Sequence, residues 1–283
     1  MKIGVVLVGY HSNEETIAIA RKYRNFESIS EIVIVNNDSR QEECRELEEL
    51  PKEGINVILE KENLGYSKGN NIGIRWLLDR GCKEIIVSNS DVIVTEETVL
   101  TLAQKLEEKN EYGALAPVML NIDKDPVPLR YGKLDFHRVL FRIFLSETSL
   151  DRKNQNRIAI TDGIAEQSFL PGSFFMVKAE AIVEADFFDE NIFLYREEEI
   201  LGERLRNVGY SEGVLMETKF IHNHPYKSEP VAKRIKQLKC ALQSEKYYFT
   251  TYLKVNGIQS IWLDFLQKSL VASRYLIWNI QSL

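Results

Sequence analysis

Cysteine is scarce in this 283-residue chain, and the three present, Cys44, Cys82 and Cys240, are widely spaced and odd in number. That pattern argues against a disulfide framework or a zinc site, and they read as reduced packing residues. No apolar run approaches the ~20 residues needed to cross a bilayer. The first residues, MKIGVVLVGYHSNEET, carry a lone Lys2, a short apolar run and no small-residue cleavage site, so they read as a first strand and not a signal peptide. There is no low-complexity tract and no internal repeat. Neither G-x-G-x-x-G nor G-x-x-x-x-G-K-[ST] occurs, which disfavours the dinucleotide and P-loop readings. A cytoplasmic protein is expected.

Charge is unevenly spread. The net charge is -6, but from Tyr226 onward nine Lys/Arg face three Asp/Glu, so the tail is +6 and the first 225 residues are -12. An acidic body lacks the basic footprint of a nucleic-acid binder. The basic tail suits an anionic lipid surface.

What the sequence does have is alternation. Residues 2–8, 31–35 and 55–59 read as strands, and the short β-branched run Ile85-Ile86-Val87 as a fourth strand buried on both faces, with helices expected up to about Tyr23, Leu50, Asp79 and Lys109 between and after them. Thr95 and Glu96 begin the last of these helices. This spacing predicts an α/β fold with a mainly parallel, doubly wound sheet. The first, second and fourth strands each end in polar residues: Tyr10-His11-Ser12-Asn13, Asn36-Asn37-Asp38-Ser39 and Asn89-Ser90-Asp91. Right-handed crossovers bring such ends to one edge, where open α/β sheets bind ligands. A buried Asp91 there needs a metal or donors to offset its lost hydration.

Residues 63–71, NLGYSKGNN, read as a loop before the third helix. Its glycines serve either as turn and packing positions or to let the backbone approach a diphosphate, with the helix start at Asn70-Asn71 supplying N–H groups. Residues 121–166 show a weaker pattern and are expected to form a variable loop or lid. Order resumes at SFLPGSFFMV, where Gly172 interrupts a strand-like run as if a ligand or another segment came close. Glu197, Glu198 and Glu199 fall at the start of a helix whose C-cap is Gly209. They are either a solvated first turn opposite the helix dipole, or, flanked by Phe193, Leu194 and Tyr195, carry a general base. A strand from Tyr210 to Phe220 then leads to His222 and His224, and a histidine at a strand end is a plausible second metal ligand beside Asp91.

Taken together, VGYHS, VNNDS, NLGYSKGNN, NSD and FFDENIFLYREEEILGERLRNVGY followed by a histidine resemble family 2 of the inverting nucleotide-sugar glycosyltransferases, most closely its rhamnosyltransferase-like bacterial members. The match covers about four-fifths of the chain. The resemblance implies a GT-A (Rossmann-like) fold, with residues 1–225 as the transferase domain and 226–283 as a C-terminal helical extension. It implies that Tyr10 packs on the nucleobase, that Asn37 bonds its pyrimidine edge, and that Gly65, Lys68 and Asn70 cover the nucleotide. Asn89 and Asp91 correspond to the D-x-D motif, the first touching the ribose and the last holding Mg²⁺ or Mn²⁺, with His222 as a further ligand. Glu198 corresponds to the catalytic base, with Glu197 or Glu199 as substitutes, and Arg204 to an arginine of the following helix. Asn89 and Glu198 each stand where Asp is usual, and Gly9 and His11 where Thr and Asn are.

The expected activity is metal-dependent, inverting transfer of rhamnose, glucose, galactose or a similar sugar from a dTDP- or UDP-sugar to a saccharide or lipid-linked acceptor in bacterial surface-polysaccharide assembly. The alternatives are a nucleotidyltransferase, which usually needs a Gly- and basic-rich loop that VGYHSNEET lacks, and a non-catalytic nucleotide-sugar-binding subunit. The latter predicts glutamates that point to solvent, away from Asp91. The tail holds two helical patterns, around Ile235, Leu238 and Leu242 and around Ile261, Trp262 and Phe265. They suit a peripheral membrane contact or a homodimer.

Overall fold

The computed structural model describes residues 1–37, 44–129, 159–223 and 229–281. The expected lid falls largely on residues 130–158, and His224 on 224–228, both outside the described residues.

A ten-stranded sheet runs through the molecule in the order β3-β2-β1-β4-β9-β6-β10-β8-β7, with β5 paired to β10. Its strands are β1 (Ile3–Gly9), β2 (Ile29–Asn36), β3 (Asn56–Leu59), β4 (Glu84–Ser88), β5 (Val92–Ile93), β6 (Tyr112–Leu120), β7 (Ile160–Thr161), β8 (Ile164–Gln167), β9 (Phe174–Lys178) and β10 (Ser211–His222). β3, β2, β1 and β4 are parallel, β9 is antiparallel to both β4 and β6, and β10 is parallel to β6.

The period-two alternation of each strand divides the core in two. Ile3, Val5 and Leu7 of β1 face α1 (Asn13–Arg24) and α4 (Glu96–Glu108), where Ile17, Tyr23, Val99 and Leu102 are buried. Val6 faces the other way, onto Ile74 and Leu77 of α3 (Gly65–Asp79), a layer shared with α5 (Ala179–Glu184) and α6 (Glu197–Asn207). Apolar residues on both faces are what a parallel sheet between two helical layers demands. A short α2 (Cys44–Glu49) runs into a 3₁₀ turn before β3. Thr95 caps α4 as expected, accepting from the Thr98 amide at 3.3 Å.

One expectation is corrected, and further strands are added to those expected. Residues 65–71 are not a loop, because α3 begins at Gly65 and not at Asn70. Residues 112–120 form a strand that is buried from Tyr112 to Val118, and residues 160–167 of the weak region form the β7–β8 hairpin.

Two further helices, α7 (Val231–Thr251) and α8 (Gly257–Gln281), pack on each other through Phe249 and Leu263. Tyr248 of α7 joins Ile192 and Ile200 of the main body. α8 leaves Ile258, Ile261, Trp262 and Phe265 exposed. No helix among the described residues is long and apolar enough to cross a membrane.

Candidate active site

β1, β2 and β4 end side by side, and the residues that follow line two cavities of about 330 and 170 Å³ that share Val8, Tyr10 and Asn89 as walls. Of the polar strand ends read from sequence, Tyr10, Asn37, Asn89 and Asp91 meet at one edge, while Asp38 and Ser39 lie outside the described residues. Tyr10 is exposed at the mouth. Asn37 is buried in the smaller cavity, where its Nδ2 donates to the Gly65 carbonyl at 2.9 Å. Its Oδ1 has no hydrogen-bond partner among the described residues, which leaves a buried acceptor in the cavity wall. Asn70 lines the same cavity from inside α3, its amide donating to the Tyr66 carbonyl at 3.0 Å. Lys68 is different: it lies on the exposed face of α3 and lines neither cavity.

Gly65 explains how α3 starts here. Its φ is +82°, and a Cβ would stand 2.2 Å from the Phe193 carbonyl oxygen. Only glycine admits both the left-handed backbone and that approach. The next amide, of Tyr66, donates to the same oxygen at 3.1 Å, so residues 193–194 become a wall of the smaller cavity.

Asp91 and His222, candidate metal ligands, face the larger cavity together. Their approach is set by backbone pairing: β5 lies antiparallel to the end of β10 with His222 opposite Val92, and the Asn223 amide donates to the Asp91 carbonyl at 2.8 Å. His222 Nε2 is 3.2 Å from Asp91 Oδ1. A carboxylate oxygen and an imidazole nitrogen brought together in this way are donors that would fit a divalent ion. No group of three or more His, Cys, Asp or Glu side chains placed to hold a metal ion is found among the described residues.

The three glutamates do not form a solvated first turn. Glu197 and Glu199 are buried and Glu198 is partly so. Glu199 is committed to Arg196, whose Nη1 donates to it at 2.6 Å. Burial, and then the neighbouring Glu198 charge, holds the Glu197 carboxyl well above the usual carboxylate range. Glu198 Oε1 accepts from the Gly172 amide at 3.3 Å, and the Tyr66 hydroxyl donates to the Gly172 carbonyl at 2.6 Å. Burial, then the Glu198 and Glu197 charges, push the Tyr66 phenol far up. One residue on, the Ser173 carbonyl accepts from the Asn89 amide at 2.8 Å. Residues 172–173 are thus a strut between Glu198 and the D-x-D-like segment. The segment that Gly172 was expected to admit is the Glu198 side chain, 2.8 Å from where a Cβ would lie.

Arg204 points away from the cavities. It donates to the Tyr252 hydroxyl at 2.9 Å and pairs with buried Asp189 at 3.3 Å. Sequence reasoning missed Tyr66, Ser12 and Ser173. Tyr66 and Ser12 stood inside quoted motifs, but nothing local marked them as cavity or strut residues.

The mainly parallel α/β sheet with polar residues gathered at one edge defines the class of fold, and comparison with known proteins gives the family. The family model described as glycosyl transferase family 2 matches residues 11–165, more than half of the chain, and the chain belongs to that family. It is 27% identical over 227 residues to the low-salt glycan biosynthesis hexosyltransferase Agl10 of Haloferax volcanii, covering 79% of this chain and 67% of the relative. Among solved structures, the mannosyltransferase PcManGT of Pyrobaculum calidifontis, in complex with GDP-Man and Mn²⁺, superposes with a TM-score of 0.59 at 14% identity over 96% of this chain and 72% of that one. GalNAc-T7 with UDP, GalNAc and Mn²⁺ gives a TM-score of 0.57 at 14% identity and covers 88% of this chain, which spans half of that protein's length. These likenesses show the GT-A fold, a mainly parallel sheet between helices with a helical C-terminal part.

Proposed function

We propose that this protein is an inverting, metal-dependent glycosyltransferase that takes a hexose from a UDP- or dTDP-sugar and delivers it to a saccharide or lipid-linked acceptor. The observation that carries the proposal is the 172–173 strut, which ties Glu198 on one side to Asn89 on the other. A nucleotide-binding edge and a half-buried carboxylate held against it are the two parts that single-displacement glycosyl transfer needs. A non-catalytic subunit would have no use for the second, and its expected solvent-facing glutamates are not what α6 presents.

In this reading Tyr10 stacks on the base, the Asn37 carbonyl oxygen accepts from its edge, and Asn89 meets the ribose. Asp91 and His222 hold the divalent ion, which when bound neutralises charge on the departing diphosphate. Glu198 takes the proton of the acceptor hydroxyl as that oxygen attacks the anomeric carbon, and the carbon–diphosphate bond breaks on the opposite face. Glu197, adjacent and shifted toward its neutral form, is the substitute candidate. Glu199 is occupied by Arg196. Rhamnose, glucose and galactose are the sugars proposed, after the rhamnosyltransferase-like motifs.

Calorimetric titration with UDP and with dTDP, with and without Mn²⁺ and repeated on Asp91→Ala, tests the donor site. Mn²⁺-dependent binding of one nucleotide, weakened at least about tenfold in the variant, is the expected result; tenfold is 1.4 kcal/mol. Absence of binding to either nucleotide under every condition overturns the transferase reading.

A further inference from the structure

The segment that carries the candidate base is gripped from outside the sheet. Tyr195 and Arg196, immediately before α6, both have left-handed backbones, with φ of 71° and 70°. Such residues persist where the surroundings over-determine them, and here the surroundings are α7. The Arg196 guanidinium forks between Glu199 Oε1 at 2.6 Å and Glu245 Oε2 of α7 at 2.7 Å. Both carboxylates are nearly buried, with side chains 6% and 10% exposed. Gln267 of α8 backs Glu245 at 3.4 Å. Ser244 Oγ donates to the Leu194 carbonyl at 2.7 Å, and the Tyr247 and Tyr252 hydroxyls donate to Asp189 Oδ2 at 2.9 and 2.6 Å. The gripped residues, 189–196, include the wall of the smaller cavity at Phe193 and Leu194 and end immediately before Glu197 and Glu198. One helix therefore holds the donor-pocket wall and the base-bearing turn together.

We infer that Arg196, clamped by Glu245, is a positioning residue for the transfer reaction: it fixes the orientation and the charge balance of the Glu197–Glu198 turn and makes α7 part of the catalytic unit. The inference rests on the reading of Glu198 as base. A planar fork is needed to join two carboxylates at these distances. The charged and titratable groups facing the turn are Arg196, Glu199 and Tyr195 beside it, Tyr66 of α3, Glu212 of β10 with Arg206, and Glu245 and Cys240 of α7. Arg196 is the cation that favours ionisation of Glu197. Without it, Glu199 and Glu245 add uncompensated negative charge and the turn is harder to deprotonate. Without the Glu245 charge the opposite holds.

The test compares Arg196→Gln and Glu245→Gln with the unaltered chain. The assay is nucleotide release between pH 5 and 8 from whichever sugar of a UDP- and dTDP-sugar panel turns over best, alongside the Kd for UDP with Mn²⁺. Arg196→Gln is expected to lose about ten- to a hundredfold in kcat, with its acid limb moved to higher pH and its UDP affinity kept. Glu245→Gln, whose amide can still accept from the fork, is expected to move the acid limb to lower pH with a smaller loss. Opposite movements are not produced by simple loosening of the fold. Limbs unmoved, or moved the same way, overturn the inference, as does a loss confined to UDP affinity. If Arg196→Gln does not fold, the direction of the Glu245→Gln limb decides alone. Glu198→Gln at full kcat overturns the base assignment itself; Glu198→Gln inactive with unmoved limbs overturns only the role of Arg196.

Discussion

The Gly172 amide nitrogen and Glu198 Oε1 are 3.3 Å apart, and no side chain beyond hydrogen fits at residue 172 without displacing the carboxylate. Gly172→Ala should therefore act as a partial form of Glu198→Gln. The glutamine variant should lose about 10²–10⁴-fold in kcat, the range of a general base, and the alanine variant should lose less, with UDP affinity kept in both. Steady-state kinetics beside calorimetry separates the two quantities. A Gly172→Ala enzyme with unchanged kcat would mean that the contact does not aim the base.

His222 and Asp91 should differ in weight. The carboxylate brings charge and the imidazole only a lone pair, so His222→Ala should weaken Mn²⁺-dependent UDP binding by about three- to tenfold and Asp91→Ala by more. Both should leave binding measured in EDTA unchanged. Equal losses with and without Mn²⁺ would show that these side chains touch nucleotide and not metal.

Gly65→Ala meets two obstacles, a φ of +82° and the Phe193 carbonyl 2.2 Å from the new Cβ. The expected cost is roughly 2–4 kcal/mol, a fall in Tm of roughly 5–12 °C for a domain of this size. UDP affinity should fall with it, since residues 193–194 wall the cavity. A variant as stable as the parent would show that α3 can start elsewhere.

Glu212, 2% exposed on β10, gives a pH dependence of stability. Burial pushes its carboxyl up to about 8, against a smaller downward pull from Arg206. Its folded pKa lies above the unfolded value, near 4.3, so between these limits the folded state binds more protons and stability falls as pH rises. Glu212→Gln keeps the shape without the titration. Its Tm relative to the parent should rise by several degrees from pH 5 to pH 8. A constant difference across that window would contradict the buried acid.

The strands around the site were legible because a run of Val and Ile that stops at a polar cluster fits a buried strand meeting a sheet edge and little else. The start of α3 was not. Gly65, Ser67, Gly69, Asn70 and Asn71 are weak helix formers, yet packing overrides propensity: a Cβ at Gly69 would lie 2.9 Å from Val8, and one at Gly73 2.2 Å from Val6. β6 was hidden by Gly113 and Pro117, the latter beside a register shift in its pairing with β10. The cluster at Glu197 to Glu199 left a solvated turn and a catalytic one open, because what buries Glu199 is Arg196 together with Glu245, far along the chain. The Gly172 contact depends on sheet order, which no local pattern encodes.

Sheet order has one more effect. β9 is the reversed strand between β4 and β6, so it begins beside Ser88, where β4 finishes, and finishes beside Glu84, where β4 begins. A strand parallel to its neighbours would have sent Gly172 and Ser173 to the far rim. Lengthening the connection before Phe174 by a residue would act at the chemistry directly, while the same insertion after Lys178 would fall at the opposite rim, where the chain passes into α5. Tolerance to insertion should therefore differ sharply between the two ends of a single five-residue strand.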